Sequence, residues 1–339
     1  MEKNFQVVCN LINDAVIGRV AKFANEEASK WTDDAVRQAF FEILGEEKLT
    51  WAGWRNHKNE IFTIMEDVLN TNLPLAWEGS RFYDQFVETK NGAFGDKNEF
   101  VVEDNSVLVA ASFSGNHWDT DRKKLPGNRS FSLDTEWFYI RLYQDFERFL
   151  KGTITVVELV RKMQKAMLNT IDNRVYTAFN GAGTYLPAEF ICTGTYDRAK
   201  MMELIQRVQD ASQKNVIIAG TKTALAAIAT GIDNQWISNA QKEEMATTGT
   251  LLNLTGLGVI GVEIPQTFER GTYNFKVDNK SILVLPDNEK FIKVYFEGDT
   301  RARELSHEQT HDQTIDTQIQ TKVGVGCVFS NIFGKYKLA

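Results

Sequence analysis

Residues 155–179, TVVELVRKMQKAMLNTIDNRVYTAF, carry the pattern that decides the fold of this chain. Apolar side chains recur there every three or four residues, which is the spacing of one face of an α-helix. Thr155 and Glu158 match a capping box, in which two side chains satisfy backbone amides at a helix N-terminus. Gly152 precedes the stretch and Gly181 follows it as breaks. The predicted buried face consists of Val157, Val160, Met163, Met167, Ile171, Val175 and Ala178.

This predicted helix is long for a globular protein. At 1.5 Å of rise per residue it spans about 37 Å, so we expect it to cross a whole layer of structure. A long helix in the core of an α+β domain is the simplest interpretation.

Composition bounds the class of protein. A chain of 339 residues is long enough for two packed subdomains. With 43% hydrophobic and 24% charged residues it is an ordinary globular sequence. Its formal net charge of −7 argues against a surface that grips nucleic acid throughout, although a local basic patch is compatible with it.

The cysteines and the N-terminus indicate where the protein is made. Cys9, Cys192 and Cys327 are few, odd in number and far apart, which favours buried thiols in a reducing compartment. Residues 1–16 contain no apolar run long enough for a signal peptide, and no run of 18 apolar residues occurs anywhere. The sequence therefore predicts a soluble protein without a membrane span, made in cytoplasm.

Residues 10–70 have the apolar spacing of short helices. The periodicity predicts three of them, each of two to four turns. Helices of that length are marginal alone, so we expect them to lie against the rest of the chain or a neighbouring copy. The third is marked by Ile61, Ile64, Met65, Val68 and Leu69.

From Glu99 the chain becomes rich in Val, Phe, Tyr and Trp, which indicates β-strands. The predicted strands are EFVVED (99–104), SVLVAASFSG (106–115) and RSFSLDTEWFYIRLYQDF (129–146). A polar, basic segment separates the second from the third, so the pattern predicts a long projecting hairpin with a charged tip. The tip is either a solvated turn or a contact surface, and its cations are Arg122, Lys123, Lys124 and Arg129.

The segment after the long helix alternates helix, strand and helix. Residues 196–213 predict an amphipathic helix, 215–220 a buried strand, and 221–230 a short helix capped by Thr221. This succession builds a compact α/β lobe. Strands predicted between residues 280 and 337 follow, and we expect the last of them to return to the long helix because they need partners.

His307-Glu308-Gln309-Thr310-His311 formally matches the zinc motif HExxH. Its context does not support zinc binding: the intervening residues are polar, no apolar helical face surrounds them, and no Glu follows to complete a site. Asp312 and Asp316 remain as conceivable ligands. We interpret the string as a chance match in a polar connection and predict no metal, cofactor or catalytic site.

Residues 256–261, GLGVIG, formally match the dinucleotide fingerprint GxGxxG. That fingerprint requires a helix to begin there, so that the helix N-terminus faces the pyrophosphate. The sequence instead continues with VEIPQTF, which predicts a strand.

The order of these elements resembles the major capsid proteins of tailed bacteriophages, which have the Hong Kong 97-like fold. The resemblance covers nearly the whole chain. It is carried by residues 125–163 (LPGNRSFSLDTEWFYIRLYQDFERFLKGTITVVELVRKM), 215–225 (NVIIAGTKTAL), 281–304 (SILVLPDNEKFIKVYFEGDTRARE) and 319–338 (IQTKVGVGCVFSNIFGKYKL).

The resemblance implies an α+β subunit with named parts. These are an N-arm at 1–75, a connection at 76–95, an extended E-loop hairpin at 96–135, a peripheral domain at 136–189 and 286–339 that contains the spine helix, and an axial domain at 190–285.

The resemblance also implies a function. The expected protein self-assembles, as hexamers and pentamers, into an icosahedral shell around double-stranded DNA. Because the chain starts close to its N-arm, a separate scaffolding protein is expected, together with a portal. Assembly would occur in the host bacterial cytoplasm. The alternatives are an encapsulin-like compartment of the same fold and, from a different class, a zinc hydrolase centred on His307 and His311.

Overall fold

A computed structural model of the chain describes residues 51–75, 81–102, 127–145, 156–230, 239, 242–243, 253–254, 257–266, 268–269, 274–305 and 314–339. The longer helices are α1 (Trp51–Leu75), α2 (Arg81–Phe86), α3 (Val156–Ala182), α4 (Arg198–Ser212) and α5 (Lys222–Thr230). The strands are β1 (Val87–Gly92), β2 (Glu99–Val102), β3 (Arg129–Ser132), β4 (Glu136–Asp145), β5 (Ile191–Gly194), β6 (Val216–Gly220), β7 (Asn253–Leu254), β8 (Val259–Glu263), β9 (Phe268–Glu269), β10 (Asn274–Phe275), β11 (Ser281–Pro286), β12 (Ile292–Glu297), β13 (Arg301–Leu305), β14 (Thr314–Cys327) and β15 (Gly334–Leu338).

Helix α3 is the long helix that the periodicity predicts, and it runs for 27 residues. Five of the predicted inward positions are at most 4% exposed: Val160, Met163, Met167, Ile171 and Val175. Thr155 and the side chain of Val157 lie outside the described residues. The buried face of α3 packs against Ile319 and Val323 of β14 in one continuous apolar core.

Strand β14 is the centre of a five-stranded sheet. On one side it pairs with β12 and β13 in succession, from Ile292 opposite Cys327 to Leu305 opposite Asp316. On its other side it pairs with the whole of β4. Strand β1 completes the sheet by lying parallel to β12. The prediction that late strands return to the long helix therefore holds for β14.

A six-stranded sheet, in the order β5-β15-β11-β6-β8-β7, forms the second layer with α4 and α5. Its strand β15 departs from the expected domain boundaries, which place 286–339 with the long helix. The reason is packing: Tyr336 is fully buried in this second core, and the backbone at Gly334 lies so close to Leu204 that a Cβ there would be 2.9 Å away.

Helix α1 corrects the expectation of short N-terminal helices. It has 25 residues, or about seven turns. The predicted marker residues Ile61, Ile64, Met65, Val68 and Leu69 are all buried, and they pack on α3 and β13. Tertiary packing extends the helix beyond the limits that its own periodicity suggests. The other two predicted helices lie outside the described residues.

Candidate assembly surfaces

The base of the predicted hairpin is fixed to the five-stranded sheet. Strands β2 and β3 pair antiparallel, with Phe100 opposite Phe131. Phe100 is fully buried. Its ring stacks on Phe131 with centroids 5.9 Å apart and meets Tyr295 of β12 edge-on at 6.4 Å. Apolar contacts therefore anchor the base of the hairpin to the sheet.

Charged side chains lie beneath the hairpin base. Lys293, which is buried, forms an ion pair with Glu88, and Lys90 approaches the same carboxylate at 3.3 Å. Burial acts to raise the pKa of Glu88, but hydrogen bonds from Lys293 and Lys90 outweigh it and hold that pKa below the ordinary value. Lys90 Nζ also lies 4.5 Å from the Phe100 ring centroid. The hairpin base thus covers a compensated charge cluster.

The sequence predicts one continuous third strand at 129–146, and the structure divides it. Residues 129–132 form β3 and residues 136–145 form β4. The link between them crosses β14, where a Cβ at Gly326 would lie 2.3 Å from Leu133. Strand β3 pairs with β2, which corresponds to the first predicted strand, 99–104. The second predicted strand, 106–115, lies outside the described residues.

Three of the four predicted tip cations, Arg122, Lys123 and Lys124, lie outside the described residues. Arg129 is the first residue of β3, opposite Val102, and is exposed. The other three cations therefore belong to the segment 103–126, which connects β2 to β3 along the chain. Their role at an interface stays a prediction.

The two faces of the five-stranded sheet differ. The inner face holds Ile140 and Ile319, which are opposite one another and pack toward α3. The outer face, opposite α3, is covered on its β1 and β12 side by the hairpin base. Its β4 and β13 side carries the exposed side chains of Trp137 and Tyr139. These two residues lie opposite Lys322 and Gln320 of β14.

Four exposed rings mark this open half of the outer face. Trp137, Tyr139 and Tyr143 on β4 are 47%, 69% and 76% exposed, and Phe94 beside them is 41% exposed. Phe94 stacks on Trp137 at 5.8 Å, and the guanidinium of Arg301 lies 4.7 Å from the Phe94 ring centroid. We call these five residues the aromatic face.

The aromatic face was not among the surfaces predicted from the sequence. In EWFYIRLYQD, apolar residues occupy both sets of alternating positions, so periodicity alone does not show which set is buried. The structure buries Phe138, Ile140 and Leu142 more deeply. The signal that was available is that the other set, Trp137, Tyr139, Arg141 and Tyr143, combines rings with a cation.

Helix α1 is tied to the start of β13 by two side chains. Glu66 accepts a hydrogen bond from the Ala302 amide, and Asn70 accepts one from the Thr300 amide, both at 2.6 Å. Burial raises the pKa of Glu66, and the hydrogen bond from Ala302 opposes that rise without cancelling it. Burial, together with the nearby charge of Asp299, also raises the pKa of Asp67. The carboxyl groups of Glu66, Asp67 and Asp299 therefore lie near one another where α1 meets the sheet.

The other chemical candidates can be placed only in part. His307 and His311 lie outside the described residues, and in the part that is described no group of three or more His, Cys, Asp or Glu is arranged to hold a metal. The glycine string at 256–261 runs into strand β8, as its sequence predicts. Burial raises the pKa of the Cys327 thiol to about 12, which makes it unreactive at neutral pH.

None of the helices among the described residues is long and apolar enough to cross a bilayer.

Three solved structures are similar to the chain at low identity. The mature capsid of bacteriophage PhiM1 is 12% identical, with 74% of this chain and 85% of that one covered and a TM-score of 0.47. The capsid of cyanophage P-SCSP1u is 13% identical, with 75% and 86% covered and a TM-score of 0.46. A virus-like particle from Pyrococcus furiosus is 11% identical, with 79% and 98% covered and a TM-score of 0.44. No curated protein sequence matches the chain.

The family match is more extensive. A family model described as "SPbeta prophage-derived putative capsid protein YonB" matches residues 8–337. The chain belongs to this family of phage capsid proteins, which confirms the resemblance drawn from its sequence.

Proposed function

We propose that this chain is the major capsid protein of a tailed bacteriophage, with the Hong Kong 97-like fold, and that many copies form the icosahedral shell around double-stranded DNA. The observation that carries the proposal is the family match over residues 8–337. The architecture supports it: a long helix crosses a sheet, a hairpin base packs on the other face of that sheet, and a second sheet forms an α/β layer with two further helices.

The proposed role is structural and not enzymatic. In such a role each copy presents several different complementary surfaces, and closed symmetric assembly follows from that. The surfaces proposed are the hairpin tip with Arg122, Lys123, Lys124 and Arg129, and the flanking faces of the sheet. The buried face of the long helix keeps the body of each subunit rigid.

The proposed partners follow from the same role. Hexamers and pentamers of this chain make the shell, a separate scaffolding protein guides its assembly, and a portal occupies one vertex. Packaged DNA is near the shell wall without sequence-specific binding, which suits a chain of net charge −7. Assembly takes place in the host bacterial cytoplasm, and the product is the virion capsid.

Electron microscopy of the chain, expressed alone and with its neighbouring genes, tests the proposal. We expect capsomers or closed shells. Sedimentation that shows only monomers in every salt and scaffold condition would refute it. Shells of one size that enclose a protein cargo and no DNA would favour the encapsulin-like alternative. Zinc bound at one per chain, and lost when His307 and His311 are both changed to Ala, would revive the hydrolase.

A further inference from the structure

The open half of the outer face presents large exposed rings. Two of them, Tyr139 and Tyr143, are more than two-thirds exposed, whereas three other residues of the same strand pack against the core. We propose that the aromatic face is a contact between copies of this chain, and that the surface it receives carries carboxylates. This inference rests on the proposed function and names one of its contact surfaces.

The size of the aromatic face fits part of a protein interface. Taking about 200 Å² per aromatic side chain, the four rings leave roughly 450 Å² exposed, close to the largest apolar patch of a typical monomer. A standard interface buries about 800 Å² per partner, with an apolar centre and a polar rim. The rings supply such a centre, and Gln318, Gln320 and Arg303 supply a rim on the same side of the sheet.

The charges of the face favour an acidic protein surface over nucleic acid. Arg141 is neutralised by Asp316, and Lys322 by Glu297. Arg301 lies over the rings and Arg303 donates to Gln320, so within the described residues these two cations have no ion pair. Two such cations among the described residues are too few for a phosphate backbone, which requires clustered Lys and Arg. They suit carboxylates on a protein.

A second copy is the partner that provides those carboxylates. The chain has 45 Asp and Glu against 38 Lys and Arg, so its surface is acidic on balance. The basic hairpin tip is a poor occupant, because Arg122, Lys123 and Lys124 would meet cations of their own sign. The contact is therefore distinct from the one proposed for the tip.

The face is also organised before binding. Arg301 is 4.7 Å from the Phe94 ring centroid and 5.9 Å from that of Trp137, so the guanidinium is held by two rings. Trp137, Tyr139 and Tyr143 stand on a strand that is paired with β14 along its whole length. Trp, Tyr and Arg are the residues that contribute most to interfaces when they are held in this way.

Tyrosine nitration tests the proposal on the unaltered protein. Tetranitromethane would be applied to unassembled subunits and to purified assemblies, and the modified tyrosines would be identified by mass spectrometry. We expect Tyr139 and Tyr143 to react at least tenfold more slowly in assemblies. Equal reactivity in both states would overturn the proposal.

A double variant, Tyr139→Ala with Tyr143→Ala, tests the energetics, and Tyr185→Ala is the matched control because Tyr185 is 89% exposed on another surface. Both proteins should keep the wild-type melting temperature. The double variant should need at least a tenfold higher concentration to assemble, while Tyr185→Ala assembles normally. Wild-type assembly by the double variant would overturn the proposal.

Two further outcomes distinguish this contact from nucleic-acid binding and from a failure of the proposed function. If the subunit binds single-stranded oligodeoxythymidine, and the double variant loses that binding but assembles normally, the face binds nucleic acid and the proposal is wrong. If the wild-type chain never assembles, the proposed function fails as well. Wild-type assemblies whose Tyr139 and Tyr143 stay reactive refute this contact alone.

Discussion

The inner and outer faces of the five-stranded sheet are covered by different means. The inner face is buried by α1 and α3 in one continuous core of aliphatic and aromatic side chains. The outer face is covered in one half by the hairpin base, over compensated charges, and bears exposed rings in the other half. The difference teaches that the inner face specifies the fold, whereas the open half of the outer face is the part of the sheet that we propose for contacts between copies.

A charge on the inner face should have the largest effect. Met167→Asp or Val160→Asp would place an unpaired carboxylate in the core, at a cost of about 3–5 kcal/mol of unfolding free energy. We expect insoluble protein. The matched control is Lys165→Asp on the exposed side of the same helix, which should change the free energy by about 0.5 kcal/mol or less. Soluble, assembling Met167→Asp would contradict the assignment of the buried face.

The covered half of the outer face should respond less. Phe100→Ala removes the ring that seats the hairpin, and we expect a loss of about 3 kcal/mol, within the range for a buried Phe. Hydrogen exchange should rise at β2 and β3 and stay unchanged in α3. Val101→Ala is the control, since Val101 is 55% exposed on the same strand. Equal exchange in the two variants would show that this ring does not hold the hairpin.

The hairpin tip should affect assembly and not the fold of the subunit. We expect the triple variant Arg122→Glu, Lys123→Glu, Lys124→Glu to melt like the wild type, while its assembly weakens or becomes salt-dependent, because each exposed pair contributes about 0–1 kcal/mol. Gln at the same three positions removes the charge without reversing it and should weaken assembly less. Normal shells from the triple Glu variant at low salt would show that the tip is a solvated turn.

The smallest effect concerns pH at the junction of α1 and β13. The pKa values of Glu66 and Asp67 are raised, so both bind protons more tightly when folded, and their contribution to stability is lost as the pH rises through the raised values. Asp67→Asn should therefore be more stable than the wild type at pH 7 and melt at a higher temperature. The gain in unfolding free energy should be less than about 1 kcal/mol, because Asp67 is exposed to screening solvent.

Melting curves at a series of pH values check this prediction. The advantage of Asp67→Asn should shrink as the pH falls through the raised pKa of Asp67, because the wild-type carboxyl then loses its charge too. Asp210→Asn, at an exposed position of α4, is the matched surface control. An advantage that stays constant with pH would rule out Asp67 as the cause.

The sequence predicts the long helix and the strands of the α/β layer because their apolar spacing is regular and local. Val160, Met167 and Ile171 follow that spacing without interruption. Three features could not be predicted in this way, because each depends on distant packing. These are the full length of α1, the place of β15 in the second sheet, and the division of residues 129–146 into two strands.

The candidate surfaces were predicted less completely than the fold. The basic tip is visible because four cations fall close together in the sequence. The aromatic face combines Phe94, the strand at 136–145 and Arg301, which are more than 150 residues apart at their extremes. They come together because β4, β12 and β13 pair with β14, and because β1, which precedes Phe94, pairs with β12.

The position of β15 has a consequence in time. Strand β15 lies between β5 and β11, and within the described chain β5 pairs with β15 alone. During synthesis β5 therefore stays without this partner strand until residues 334–338 of β15 have been added. At about 5–20 residues per second that interval is roughly 7–30 s. A nascent chain thus completes its second layer only after every described strand of the first has been made, so within the described residues neither sheet is complete in a half-synthesised subunit.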